Sequence, residues 1–390
     1  MTSIVNNPIL LASEMIKFHT VTPKDDGILD YLAKILAPFN VKSEIKFFGE
    51  NEKKTGNIYL KFGNSGRNFC FAGHVDVVPV GDINKWSENP FGGEIKNGKL
   101  YGRGAVDMKG GVAAFVSAMC KFLSENPSFS ESISILLTCD EEASGEFGLK
   151  EMIKYLDGNG EKFTSCIIGE PTCEECIGDT IRLGRRGSIN FQIEFIGLQG
   201  HVAYKELIKN PITALGNAIY LLKSHKFDEG NEFYEASNLE FVDVSTDNFE
   251  KATNVVPSRA KCMFNIRYNN YHTGEKLAEF IKNTLNEIAG KDGYEMKYRI
   301  SNDSFLYGNT EISKIVTSVI NEQKFPDFQS VKGNCGGGTT DGRYIIQYCK
   351  DVVELGLRSN MAHKIDEFAG TEEIERLTDI YYKVLISYFK

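Results

Sequence analysis

Apolar residues in the first part of the chain fall into two spacings. Residues 8–18 and 27–38 repeat them at helical intervals, whereas 56–62 and 68–80 carry the denser apolar runs of extended segments. The stretch "DMKGGVAAFVSAMCKFL", 107–123, predicts a helix with its acidic residue at the positive end. "SISILLTC", 132–139, is nearly all apolar and predicts a buried strand, followed by a helix over 146–156 and a strand over 163–169. Alternation of this kind predicts an α/β sandwich with a largely parallel sheet.

The middle of the chain changes pattern. Extended stretches at 188–197, 238–246, 259–268 and 294–300 are interleaved with helical spacing at 210–225 and 274–289. That order, βαββαβ, is the order of a ferredoxin-like two-layer α+β domain. Residues 310–390 return to the α/β style and end in the amphipathic "TEEIERLTDIYYKVLISYF". The organisation expected is a discontinuous larger domain, 1–186 plus 299–390, interrupted by an inserted domain, 187–298.

Composition narrows the class. A chain of 390 residues is long for one core, which agrees with two domains. With 42% hydrophobic and 25% charged residues it has the make-up of an ordinary globular protein. The formal charge of −9 and the lack of a long basic run argue against nucleic acid as a partner. No run of 18 apolar residues occurs, so no membrane partner is expected, and the N-terminus lacks the pattern of a signal peptide. Nine scattered cysteines fit a reducing cytoplasm better than a disulfide framework. Cys173 and Cys176 have CxxC spacing but no second half-site, and no role is expected of them.

Candidate chemistry begins in "FCFAGHVDVVPV", 69–80, where His74 and Asp76 interrupt an apolar stretch. On a strand, residues two apart share a face, and a buried charge needs a partner. Other polar residues fall at strand ends or in glycine-rich turns: Asp107 in "GRGAVDMKGG", Glu141 and Glu142 in "TCDEEASGEFG", Glu170 in "IIGEPT" and His363 in "NMAHKIDE". Imidazoles with carboxylates and no thiolates suit zinc, manganese, cobalt or iron. Several converging carboxylates would repel one another unless cations lay between them, and two divalent ions bridged by a carboxylate would provide a hydrolytic site. The glycine-rich "GRGAVDMKGG" and "CGGGTTDGR" lack both the Walker lysine and the GxGxxG pattern.

The ordered set "GHVDVVP", "LYGRGAVDMKGG", "DEEASG", "GEP" and "HKIDE" resembles the co-catalytic metallopeptidase family of aminoacylases, zinc carboxypeptidases and acyl-amino-acid deacylases. The resemblance covers almost the whole chain. It implies a metallopeptidase-type catalytic domain, two zinc ions per subunit (with cobalt or manganese as alternatives in one site), and a homodimer formed through the inserted domain. It assigns His74 and Glu170 to one ion, Glu142 and His363 to the other, and Asp107 to both. Asp76 would accept the second ring N–H of His74, and Glu141 would be the general acid/base acting on a metal-activated water. His201, in the insert, would reach the partner subunit's site and stabilise the oxyanion. The narrower marks "GRRGS", "QGHVAY", "GNEF", "TNVVP" and "GGGTTDGR" point to deacylases of dicarboxylic N-acyl amino acids. By the same resemblance, Arg185, Ser188, Asn254, Arg267, Gly338 and Thr339 would bind that small-molecule substrate.

Two positions depart from the pattern: Lys205 stands where relatives carry proline after "HVAY", and Ser359 where they carry asparagine. Other N-acyl amino acids or dipeptides remain alternative substrates. A non-catalytic metal-binding relative is the alternative from another class.

Overall fold

The structure, a computed structural model, describes residues 4–248, 252–323 and 328–390. The chain divides into two compact units. The first runs through Gly184 and resumes over Tyr307–Asn334 and Thr340–Lys390; the second comprises Arg185–Leu306 and Cys335–Thr339. The second unit therefore extends past residue 298, because its last long strand continues to Asn302, and it takes in Gly338 and Thr339.

The first unit is built on an eight-stranded mixed sheet in the spatial order 42–48, 55–62, 132–138, 68–74, 165–168, 352–354, 180–182, 332–334. Its centre is parallel: Asn68–His74 lies between Ser132–Thr138 and Ser165–Ile168, and the latter pairs in parallel with Val352–Glu354. These central strands are buried throughout, which explains their continuous apolar character. Ring packing fixes helices to the sheet. Phe71 stacks on Phe115 of helix Lys109–Glu125 at 4.4 Å, and Phe115 meets Tyr381 of helix Thr371–Tyr388 at 5.6 Å.

Parallel strands run in one direction, so the ends of 68–74, 132–138 and 165–168 lie side by side. His74 closes the first, Glu141 and Glu142 follow the second, and Glu170 follows the third. Helix Lys109–Glu125 starts against the last of these. A Cβ at Gly111 would lie 2.9 Å from the carbonyl oxygen of Gly169, so only glycine permits this approach. That contact brings the loop bearing Asp107 up to the strand end bearing Glu170.

The second unit has a four-stranded antiparallel sheet in the order 238–246, 259–268, 187–196, 294–302. Ile189, Phe191, Ile193 and Phe195 alternate inward along Gly187–Ile196, and pack in one core with Leu215 of helix Pro211–Ser224 and Ile281 of helix Gly274–Ala289. This is the βαββαβ arrangement that the sequence predicts. No helix among the described residues is long and apolar enough to cross a membrane.

Candidate active site

In the first unit, two groups of three side chains place their ligand atoms within 4.8 Å of one another: His74, Asp107 and Glu170, and Asp107, Glu142 and His363. Asp107 belongs to both. Its Oδ1 lies 3.1 Å from His74 Nε2, and its Oδ2 lies 3.3 Å from His363 Nε2. Glu170 Oε1 is 3.7 Å from His74 Nε2, and Glu142 Oε1 is 2.9 Å from His363 Nε2.

The electrostatics favour cations at both places. Burial opposes a charge on His74, but the hydrogen bond to Asp107 and the charges of Glu170 and Asp76 outweigh it and raise its pKa well above the usual value. Asp107 and Glu142 raise His363 to about 10. Burial likewise opposes ionisation of Asp107, yet its bonds to His363 and His74 hold the carboxyl below its ordinary range. A field that retains protons on two imidazoles also favours divalent ions that would replace those protons. The donor set, two imidazoles and three carboxylates with no thiolate, therefore fits a pair of divalent ions sharing Asp107.

Asp76 departs from its expected contact. The strand ends at His74, so strand alternation does not extend to residue 76. The closest partner of His74 Nδ1 is the backbone carbonyl of Asp76, at 3.0 Å, with the carboxylate at 3.5 Å. The Asp76 carboxylate accepts the backbone N–H groups of Glu141, at 3.3 Å, and Glu142, at 3.1 Å. Burial pushes its pKa up to about 6, opposed by His74 and by these N–H groups.

Glu141 belongs to neither group of three. Burial, and then the neighbouring charge of Glu170, raise its pKa well above the usual carboxylate value. Its charge environment also includes Asp341, a residue of "TTDGR" to which sequence reasoning gave no role. Asp341 is buried, and neither carboxylate oxygen has a hydrogen-bond partner among the described residues. Arg343 Nη2 lies 3.8 Å from Asp341 Oδ1, and burial raises the pKa of this carboxyl to about 7. Only an acidic residue in a glycine-rich turn marked it in the sequence.

Within the second unit, Ser188 faces Arg267 across one strand pair and Asn302 across the other. Thr339 Oγ1 donates to Asn302 Oδ1 at 2.7 Å, which brings Thr339 to the same strand end. Arg185 is buried and donates to the carbonyl of Gly336 at 3.1 Å, while Gly338 is exposed. Arg267 makes no salt bridge among the described residues, and burial and the charge of Arg186 lower its pKa. His201 lies on a separate ribbon, Gly200–His201 paired with Val255–Val256, and Asn254 immediately precedes its second strand. There Val202 N–H donates to the Asn254 carbonyl at 3.0 Å. Cys173 is buried and Cys176 half-buried; neither falls in a group of three potential metal ligands among the described residues.

A model of peptidase family M20/M25/M40 matches residues 70–387. A succinyl-diaminopimelate desuccinylase of Rickettsia bellii (strain OSU 85-389) is 42% identical over 379 residues, covering 95% of this chain and 94% of its own. One from Ehrlichia canis (strain Jake) is 40% identical, covering 98% of both chains. Among solved structures, an M20 family metallo-carboxypeptidase from Sulfolobus solfataricus is similar with a TM-score of 0.76 at 18% identity, over 98% of this chain and 99% of that one. A dinuclear metal binding peptidase of the M20 family from Bacillus subtilis gives a TM-score of 0.68 at 12% identity, over 100% and 99%.

Proposed function

The chain belongs to peptidase family M20/M25/M40, and on that premise we propose that it is a metal-dependent hydrolase that converts N-succinyl-LL-2,6-diaminopimelate to succinate and LL-2,6-diaminopimelate. For the hydrolytic chemistry, the observation that carries the reading is Asp107, whose two oxygens face two histidines in two overlapping ligand sets. For the substrate, support comes from relatives about 40% identical over nearly their full lengths.

His74, Asp107 and Glu170 would hold one divalent ion, and Asp107, Glu142 and His363 the other, with zinc the ion proposed for both. When bound, such ions would supply Lewis acidity and lower the pKa of bound water. Glu141 is the proposed general base. Its half-buried carboxylate has a raised proton affinity, which suits it to take a proton from water and return it to the departing amine. Asp76 holds the turn from which Glu141 acts, through the two backbone N–H groups it accepts.

His201 is the proposed oxyanion donor, acting across a homodimer. Its Nδ1 accepts the N–H of Ala203 at 3.1 Å, so the neutral ring carries its proton on Nε2, where it can be donated. Arg185, Ser188, Asn254, Arg267, Gly338 and Thr339 are the proposed substrate contacts. Half-buried Arg267, which has no carboxylate partner among the described residues, suits a carboxylate of the substrate. Residues 187–298 contribute the proposed dimerisation surface and 1–186 with 299–390 the catalytic part.

The test is turnover of a panel of N-acyl amino acids and dipeptides by purified protein loaded with zinc, with metal content measured on the same sample. Succinate release from the succinylated diamino acid, with about two zinc ions per chain, is expected. Efficient turnover of N-acetylornithine or a dipeptide, with none of the succinyl substrate, would overturn the assignment.

A further inference from the structure

Beside the ligand set lies an ion pair that the hydrolytic reading does not use. Arg103 and Glu367 are 3% and 0% exposed, and Arg103 Nη1 donates to Glu367 Oε2 at 2.8 Å. A buried ion pair is weak evidence for stability, because desolvation offsets the attraction, so its placement calls for a positional reason.

The remaining contacts supply that reason. Glu367 Oε1 accepts the backbone N–H groups of Val106, at 2.9 Å, and Asp107, at 3.3 Å. Arg103 Nη1 also donates to the carbonyl of Lys364 at 3.0 Å, the residue after His363. Its Nη2 reaches the carbonyl of Pro79 at 3.4 Å, on the segment that follows His74 and Asp76. One guanidinium–carboxylate pair thus ties together the three chain segments that bear Asp107, His363 and His74. The bond to Lys364 falls within the 363–366 turn, where His363 and Asp366 both have left-handed backbones, with φ of 62° and 56°. Such conformations are costly for residues with a side chain and persist where surrounding contacts hold them.

We infer that the Arg103–Glu367 pair is a strut that sets the separation of Asp107 and His363, so that the Asp107–Glu142–His363 group is preformed to take a divalent cation. Arg103 and Glu367 are positioning residues; neither belongs to the ligand groups. The inference rests on reading those groups as metal ligands. It adds an asymmetry of reach: the ties fall on the backbone N–H of Asp107 itself and on the carbonyl of Lys364, next to His363, whereas on the His74 segment the tie is the longer bond to Pro79, at 3.4 Å and well past His74.

The experiment is stepwise zinc titration of the metal-free full chain against a chromophoric chelator, alongside thermal unfolding. Glu367→Gln and Arg103→Met are each expected to weaken one of the two zinc ions about 10- to 100-fold, the range for residues that support metal ligands, with a smaller change at the other. The double variant should lose no more than the worse single variant, as partners in one network do. Glu367→Asp, which keeps the charge but shortens its reach, should lie between Glu367→Gln and the parent. Ile380→Ala, a cavity in the buried face of helix Thr371–Tyr388, is the control: it should lower the thermal midpoint with both zinc affinities at the parent value. Affinities within twofold of the parent in Glu367→Gln and Arg103→Met would overturn the strut. So would an affinity loss that Ile380→Ala reproduces at equal thermal destabilisation. Failure of the strut would leave parent zinc stoichiometry and turnover intact, whereas failure of the metal reading would appear as a parent that binds no zinc.

Discussion

The carboxylate of Asp76 accepts the backbone N–H of Glu142 at 3.1 Å, and its other oxygen accepts the N–H of Glu141 at 3.3 Å. A residue two places after a candidate metal ligand thereby fixes the turn that carries a second ligand and the proposed base. Ligand placement and base placement share one buried anchor.

Asp76→Ala should therefore lower kcat about 10- to 100-fold, the range for residues that orient metal ligands. Asp76→Asn should lose less, because its amide oxygen can still accept one of the two N–H groups. Steady-state kinetics at fixed free zinc would measure both; a kcat within twofold of the parent for Asp76→Ala would remove this role.

Glu141→Gln keeps the shape of the side chain and removes its basicity. The expected result is a loss of about 100- to 10,000-fold in kcat with zinc content unchanged, as for removal of a general base. Parent-like turnover by this variant would assign the base elsewhere.

Shared use of Asp107 predicts a pattern in ion content. His74→Ala and His363→Ala should each retain about one zinc per chain, whereas Asp107→Asn should weaken both ions, because its two oxygens face different histidines. Elemental analysis after dialysis tests this. Two ions retained in all three variants would refute the ligand sets.

Chelation should lower the thermal midpoint, and zinc should restore it. At a free ion concentration of 100 times Kd, one site adds about 2.7 kcal/mol to the stability of the folded state. His363→Ala should show a smaller zinc-dependent shift than the parent by differential scanning calorimetry, and an equal shift would contradict its assignment.

In the second unit, Asp228 links Gly230, Asn269 and His272, at 2.7, 2.5 and 2.9 Å. Burial opposes its charge, but hydrogen bonds from Ser237, Gly230, Asn269 and His272 outweigh it and lower the pKa. A folded pKa below the unfolded value of about 3.9 gives stability that is present above that pH and lost as pH falls through the folded value. Asp228→Asn should thus lower the thermal midpoint at pH 7, with the gap to the parent closing below about pH 4. A gap independent of pH would show that the charge of Asp228 contributes nothing.

Much of the local structure was legible because its determinants are local. The apolar run of 132–139 corresponds to strand Ser132–Thr138, and the alternation in 188–197 to strand Gly187–Ile196 with one face in the core. Candidate ligands could be found because a charge in an apolar run or a glycine-rich turn stands out. The extended reading of 68–80 ran past the strand end at His74 because hydrophobic spacing does not mark where a strand stops, although the Asp76 carboxylate still lies 3.5 Å from His74 Nδ1. Asp341 was missed for a related reason. Its burial depends on how the glycine-rich turn packs, and "TTDGR" alone reads as an exposed turn.

The sequence by itself determined the strand and helix order, the βαββαβ insert, and the residue types available for metal chemistry, since these follow from periodicity and side-chain chemistry along the chain. Tertiary structure alone decided which oxygen of Asp107 faces which histidine, and that Asp76 turns its carboxylate to the Glu141–Glu142 backbone. It also decided that Arg103 meets a glutamate 264 residues away. Those relations depend on distances between segments remote in sequence, which side-chain burial and backbone direction set only once the sheet has formed.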